Sequence, residues 1–379
     1  MPEFDRSIER CMVLFLAGWV YDENMSSSNW LVIAGAAAFA FCALGSTMAQ
    51  GAEPQKVTSG DVVLVLPLGL QADSAYIPED NPLSKAKINL GKMLYFDGRL
   101  SADGNVPCSG CHNPYHGFAD PEPTSPGVGF ARGGRNSPTV LNRLFSAEQF
   151  WDGRAEDLEA QAKGPITNPI EMGMPSHDVA VQKIAAIPGY GPLFAEAYGD
   201  PKVNIDRIAK AIATYERTVL TGDSAYDRYQ AGDKSALSAQ QIRGMELFAG
   251  KADCQTCHVS FNFTDENYHN LGVGWDAASK TMADKGRNDV TKADVDIGAF
   301  KTPTLRDVAL TAPYMHDGSE ATLSDVIEFY NKGGNANPHL STKIKKLNLT
   351  EQERKDLESF MLALTGTVPE PAPPAKLPQ

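Results

Sequence analysis

A mainly α-helical protein built as two similar halves is what the sequence predicts, and three observations carry the prediction. Apolar residues recur at helical spacing in several stretches. A short cysteine–histidine motif occurs twice, with similar residues leading into each copy. The segments between are long and rich in glycine and proline. With 379 residues and 42% apolar content, the chain can bury a sizeable core and is long enough for two domains. Its net charge of −13 argues against nucleic acid as a partner.

From Met25 the chain runs MSSSNWLVIAGAAAFAFCALGSTMAQG, an apolar stretch from Leu31 to Leu44 followed by small residues and a cut site after Ala49. That is the pattern of a secretory signal peptide, shorter than a membrane span needs. No Lys or Arg lies between Met25 and the apolar stretch, and the preceding CMVLFLAGWVY is apolar too. Translation from Met25 with cleavage accounts for these features; an uncleaved membrane anchor is the alternative. Either way, the chain from Gln50 onward is expected to be exported and periplasmic, free of the membrane once the signal is cut. The expected organisation is an upstream and signal segment 1–49, an N-terminal domain 50–228, a C-terminal domain 229–366 and a solvated Pro-rich tail 367–379. The break is expected within Gly222 to Ser235.

The helices follow in order. Ser84 is a candidate N-cap for a helix carrying Gly91, Leu94 and Tyr95. Ile205 to Leu220 sets Ile205, Ile208, Ala209, Ile212 and Val219 on one face. Ser238 is a candidate N-cap for a helix carrying Gly244, Leu247 and Phe248, echoing the first. In TLSDVIEFYNKGG, Leu323, Val326, Ile327 and Tyr330 form one stripe that ends at a Gly-Gly stop. Thr350 to Leu364 opens with the capping box Thr350-x-x-Glu353 and ends at Gly366.

Two of the six cysteines, Cys11 and Cys42, fall in the segment expected to be removed. The other four form CSGCH, Cys108 to His112, and CQTCH, Cys254 to His258. In a c-type haem site both thiols bond covalently to the porphyrin and the adjacent histidine ligates iron, so C-x-x-C-H is the pattern that chemistry requires. Export fits, because haem is attached outside the cytoplasm. A structural zinc site or disulfides would use the cysteines but give no reason for a histidine directly after each pair. Cys108, Cys111 and His112 are therefore expected to hold one haem c, and Cys254, Cys257 and His258 a second. Helices that flank a haem, joined by long loops, describe a cytochrome c-like domain, here present twice.

Read together, NPLSKAKINLGKMLYFDGRLS, CSGCH, GRNSPTVLNRLFSAEQFWDGRAEDLEAQAKGPITNPIEMG, CQTCH and FKTPTLRDVALTAPYMHDGSEATL resemble the bacterial dihaem cytochrome c peroxidase and MauG family, over roughly Asn81 to Gly366. The resemblance implies an N-terminal haem that meets hydrogen peroxide and a C-terminal haem that stores or relays oxidising equivalents, with a tryptophan and a calcium ion between them. By that resemblance Trp151 takes the inter-haem place, and Gln161, Pro165 and Glu171 the distal-pocket glutamine, proline and acid-base glutamate. Asn136 and the backbone carbonyls of Thr311 and Pro313 match the calcium ligands. The chemistry agrees. Peroxide heterolysis needs one group to take a proton from the near oxygen and return it to the leaving oxygen, which a carboxylate can do. Calcium favours hard oxygen ligands such as an amide and two carbonyls. Taken singly, Trp151 reads as core and Glu171 as a surface charge.

Two departures choose a branch. Conventional members carry a histidine that caps the first iron at rest; here the loop is SPGVGFARGG, with Val128 in that place and no histidine between Gly117 and Phe150. Valine cannot ligate iron. Conventional members also place a methionine where this chain has Tyr330, the position at which MauG-type enzymes use tyrosine. A thioether raises the potential of a haem, whereas a phenolate favours ferric and higher states. Core packing of Tyr330 is the alternative to ligation. The remaining histidines, His116, His177, His269 and His339, read as surface or loop residues, and His316 as a candidate for a haem edge. Met315 and Met282 are alternative ligands.

The function expected from the resemblance is MauG-like: hydrogen peroxide raises the two haems to a shared high-valent state, which oxidises tryptophan side chains on a separate periplasmic protein by long-range electron transfer. The alternative is a cytochrome c peroxidase that reduces peroxide with electrons from a small cytochrome c or cupredoxin. A pure electron carrier is the third reading.

Overall fold

The computed structural model describes residues 54–370 and 372–379; the expected signal segment, with Met25 and the expected cut after Ala49, lies outside the described residues. The fold is mainly helical. It opens on an antiparallel hairpin, β1 (Lys56–Ser59) and β2 (Val62–Val65), turning at Gly60, whose φ of +56° suits glycine. The hairpin was not evident in the sequence. Two other small pairs occur: β3 (Tyr268–Asn270) with β6 (Ala299–Lys301), and β4 (Trp275–Asp276) with β5 (Thr281–Met282).

The helices are α1 (Lys85–Tyr95), α2 (Cys108–Cys111), α3 (Leu158–Thr167), α4 (His177–Ala185), α5 (Tyr190–Tyr198), α6 (Ile205–Glu216), α7 (Ala225–Gln230), α8 (Ala239–Ala249), α9 (Asn288–Thr291), α10 (Leu323–Asn331) and α11 (Glu351–Leu362). Their starts follow the capping chemistry. Ser84 Oγ accepts the Lys87 N–H, and Ser238, Thr322 and Thr350 each form a reciprocal capping box. The helix expected over 205–220 stops at Glu216; Val219 is buried, but beyond the helix end. The segment expected to hold the break contains α7, itself opened by a capping box on Ser224.

One core gathers Leu90, Leu94, Ile166, Ile184, Phe194 and Ile212 from α1 and α3 to α6; another gathers Phe248, Phe263, Leu323, Ile327, Leu357 and Phe360 from α8, α10, α11 and a loop. The echo between the two halves has a physical cause. A Cβ on Gly91 of α1 would stand 1.9 Å from the Ala211 carbonyl oxygen of α6, and one on Gly244 of α8 would stand 2.0 Å from the Asp356 carbonyl oxygen of α11. Each C-x-x-C-H motif thus follows a helix whose glycine lets a partner helix approach backbone to backbone.

Buried ion pairs fix the loops. Arg217 grips Glu159 through two bonds of 2.6 and 2.8 Å, and Arg306 grips Asp227 at 2.8 and 2.9 Å while also donating to the Gly69 and Phe261 carbonyls. Such bidentate pairs are strongly directional. The tail, expected to be solvated, has its end fastened down: Gly189 N–H donates to the Gln379 carbonyl at 2.7 Å and Arg99 to the Pro378 carbonyl at 2.8 Å. These backbone acceptors leave no mark on the composition from which the tail was judged.

Candidate active site

The first motif forms the single turn α2, with His112 N–H bonded to the Cys108 carbonyl at 2.9 Å. Its imidazole Nδ1 donates to the Pro138 carbonyl at 2.9 Å. That contact sets the tautomer and leaves the Nε2 lone pair for a metal. Burial pushes the His112 imidazole down to about 4, so it is neutral, as a ligand must be. The second motif repeats the device: His258 N–H bonds the Cys254 carbonyl at 2.9 Å and Nδ1 donates to the Phe263 carbonyl at 2.9 Å. Burial lowers its pKa as well. Neither backbone acceptor carries a signal in the sequence.

Cys254, Cys257 and His258 line a cavity closed by Leu305, Ile327, Tyr330 and Met361. All four residues of the α10 stripe line it, Leu323 and Ile327 buried and Val326 and Tyr330 half-buried. The Tyr330 hydroxyl has no hydrogen-bond partner among the described residues, and burial beside Cys254 and Cys257 raises its pKa. All four motif thiols are free. Free thiol pairs, two neutral imidazoles with Nε2 available and an unclaimed phenol over an apolar cavity fit haem c. A rival metal triad exists, since Cys257, Asp265 and His269 come together, but it would claim a cysteine of the CQTCH motif and leave His258 without a role.

The same cavity runs past the Lys301 region to Pro138, Asn136 and Trp151. Trp151 is held at both ends: its indole N–H donates to the Asn136 carbonyl at 2.9 Å, and its carbonyl accepts the Lys301 N–H at 2.8 Å. Asn136, Thr311 and Pro313 also line this cavity. Asn136 is buried, its Nδ2 donates to the Glu122 carbonyl at 3.2 Å, and its Oδ1 accepts nothing among the described residues. The carbonyls of Thr311 and Pro313 likewise accept no hydrogen bond among the described residues. Their chemistry fits calcium.

Gln161 and Pro165 lie on α3 and Glu171 in the turn beyond it. Met172 N–H bonds the Pro165 carbonyl at 3.2 Å, and Val128 N–H bonds the Glu171 carbonyl at 2.8 Å. Val128 also packs its methyls against Gly173. Burial raises the Glu171 carboxyl, against the pull of Arg154 and Asn168, and its charge is felt at Cys111. Arg154 of the FWDGRA motif carries no functional signal in the sequence. Its guanidinium lies 3.6 Å over the Phe150 ring and bonds Asp152 at 3.0 Å.

Of the other candidates, His316 is buried, lines the cavity and stacks on Phe300 at 3.5 Å. His269 bonds Asp265 at 3.0 Å and His177 the Lys163 carbonyl at 3.0 Å. His116 is exposed and His339 half-buried. Met315 lines the cavity, while Met282 is buried in the β4–β5 pair.

Known proteins carry the same framework. The family profile described as di-haem cytochrome c peroxidase matches residues 85–235. The chain is 40% identical over 337 residues to the methylamine utilization protein MauG of Methylorubrum extorquens, covering 88% of this chain and 92% of that one. It is 41% identical over 293 residues to the cytochrome c551 peroxidase of Pseudomonas aeruginosa, covering 76% and 81%. Among solved structures, a MauG-like protein associated with microbial copper homeostasis superposes with a TM-score of 0.73 at 34% identity, over 79% of this chain and 95% of the other. No helix among the described residues is long and apolar enough to cross a membrane.

Proposed function

Because the chain belongs to the dihaem cytochrome c peroxidase and MauG family, whose members are peroxide-dependent oxidoreductases with two haem c groups, we propose that it works in the MauG manner, oxidising a separate periplasmic protein. The observation that carries this reading is the phenol of Tyr330, facing the Cys254–Cys257–His258 cavity with no protein partner. Bound haem supplies the iron at which peroxide is cleaved and the oxidising equivalents are held. Cys108, Cys111 and His112 would hold the first group; Cys254, Cys257, His258 and Tyr330 would hold the second. As a phenolate ligand, Tyr330 would favour the ferric over the ferrous form.

Glu171 takes the proton from the near oxygen of hydrogen peroxide and returns it to the leaving oxygen, so that water departs. Gln161 orients the peroxide, and Pro165 shapes the wall beside it. Val128 offers no ligand, so the face above His112 needs no prior activation. Trp151, fixed at indole and carbonyl, carries the second equivalent toward the His258 and Tyr330 side. Asn136, Thr311 and Pro313 hold one calcium ion, which stiffens the segment bearing Trp151. The oxidised residue on the partner is a tryptophan, reached at the surface by long-range electron transfer.

The test mixes the fully ferric protein with hydrogen peroxide, without prior reduction, and follows the visible spectrum. Both haem bands should change together within the mixing of one equivalent. A protein that stays inert until half-reduced, and then turns over rapidly with a reduced small cytochrome c or cupredoxin, is a cytochrome c peroxidase instead.

A further inference from the structure

Two tyrosines beside the first haem motif have no place in the peroxide chemistry. Tyr95 is fully buried at the end of α1, and its hydroxyl donates to the His112 carbonyl at 2.7 Å. It belongs to an apolar cluster that also contains Cys108 and Tyr215. Its ring lies 5.2 Å from that of Tyr215 on α6, and Phe96 packs edge-on against both, at 5.2 and 6.5 Å. Tyr215 is half-buried, and its hydroxyl has no partner among the described residues. The close crossing of α1 over α6 at Gly91 is what brings the rings together; the same Gly91 Cβ position would lie 3.0 Å from the Tyr215 Cβ.

We infer that Tyr95 and Tyr215 form an exit for oxidising equivalents from the first haem to the surface, used when no partner protein is bound. The idea rests on haem attachment at Cys108 and His112 and on peroxide as the oxidant. Phenols are the readily oxidised side chains here, and this pair runs from the His112 carbonyl through packed rings to the half-buried phenol of Tyr215. In the step, one electron leaves the Tyr215 phenol through Tyr95 for the oxidised dihaem centre, whose oxidation level falls by one. The phenolic proton passes to water at the open side of Tyr215, and no bond to iron forms or breaks. A small reductant in solution then returns one electron and a proton comes back from water, restoring the phenol. Charge that would otherwise attack the haem surroundings is drained at a repairable side chain.

The experiment adds hydrogen peroxide and a nitrone spin trap to the holoprotein without a partner, digests it and maps the adducts by mass spectrometry. The haem spectrum is recorded in the same sample. The expected adduct is on Tyr215; it is lost in Tyr215→Phe and strongly reduced in Tyr95→Phe, which keeps the ring but removes the oxidisable hydroxyl. Tyr215→Phe should also bleach faster under repeated peroxide, a readout that stands even if Tyr95→Phe incorporates haem poorly. Tyr115, 69% exposed in the same region, serves as the control for diffusing oxidants. Labelling that follows exposure, with Tyr115 foremost, overturns the inference, as does a Tyr215 adduct that is unchanged in a haem-replete Tyr95→Phe. A haem response with Tyr215 unlabelled sinks this route alone; no haem response at all sinks the proposed peroxide chemistry with it.

Discussion

Replacing Gly244 with alanine tests the helix crossing that frames the second haem cavity. An ideal Cβ there would stand 2.0 Å from the Asp356 carbonyl oxygen and 2.7 Å from the Phe360 Cβ. Carbon–oxygen contacts settle at about 3.3 Å or more, so the two helices must part by about 1 Å. The obstruction is helix backbone, not the end of a flexible side chain, and relief comes only by loosening the packing of Phe248 and Phe360. Overpacking of this kind costs about 1–3 kcal/mol. Alanine's better helix propensity offsets about 1 kcal/mol of that. A displacement this large belongs at the upper end, leaving a net loss of about 2 kcal/mol. At roughly 2–4 °C per kcal/mol, Tm should fall by about 4–8 °C. The assay is calorimetry of holoprotein at matched haem content, with Gly191→Ala as control: Gly191 sits in α5 with its nearest neighbour 3.9 Å away, and its variant should be unchanged or slightly more stable. If Gly244→Ala melts with Gly191→Ala, the close-crossing argument is wrong, and with it the explanation of the Gly91–Gly244 echo.

Glu171→Gln should slow the reaction with peroxide by about 10²–10⁴-fold in stopped-flow mixing, since a proton acceptor is lost. Because burial raises Glu171 above its ordinary 4.5 and the ionised form is the base, the wild-type rate should climb with pH along a limb displaced upward from the usual carboxylate range, and the variant should lack that limb. Tyr330→Met should make the second haem easier to reduce, read as a higher midpoint in a spectroscopic redox titration; an unmoved midpoint would assign Tyr330 to packing. Asn136→Ala should abolish bound calcium by elemental analysis while both haems remain attached, and calcium retained at the wild-type level would remove Asn136 from the ligand set.

The parts of the molecule legible in the sequence are those whose causes are local. Ser84, Ser238, Thr322 and Thr350 announce helix starts because a cap needs only a side-chain oxygen near its own backbone. The CSGCH and CQTCH pairs are legible because the haem attachment proposed for them is a chemistry of adjacent residues. The carbonyls of Pro138 and Phe263 that orient the two imidazoles were not, since any residue supplies a carbonyl and only the folded loop decides which one arrives. The same holds for the docked tail, where Gly189 and Arg99 find backbone acceptors, and for Arg154, whose effect on Glu171 depends on the turn after α3. The place of the α10 stripe on a cavity wall escaped for a different reason. Helical periodicity groups Leu323, Val326, Ile327 and Tyr330 on one side but does not tell a packed core from the wall of a cavity.

The central claim is that one iron is open to peroxide while the other carries the Tyr330 oxygen. Its most direct test is the ferric EPR spectrum of the purified protein before and after peroxide. One high-spin five-coordinate haem and one low-spin haem should be present at rest, both losing their ferric signals together without prior reduction. Two low-spin haems at rest, or a first haem that responds only after the second is reduced, would contradict it.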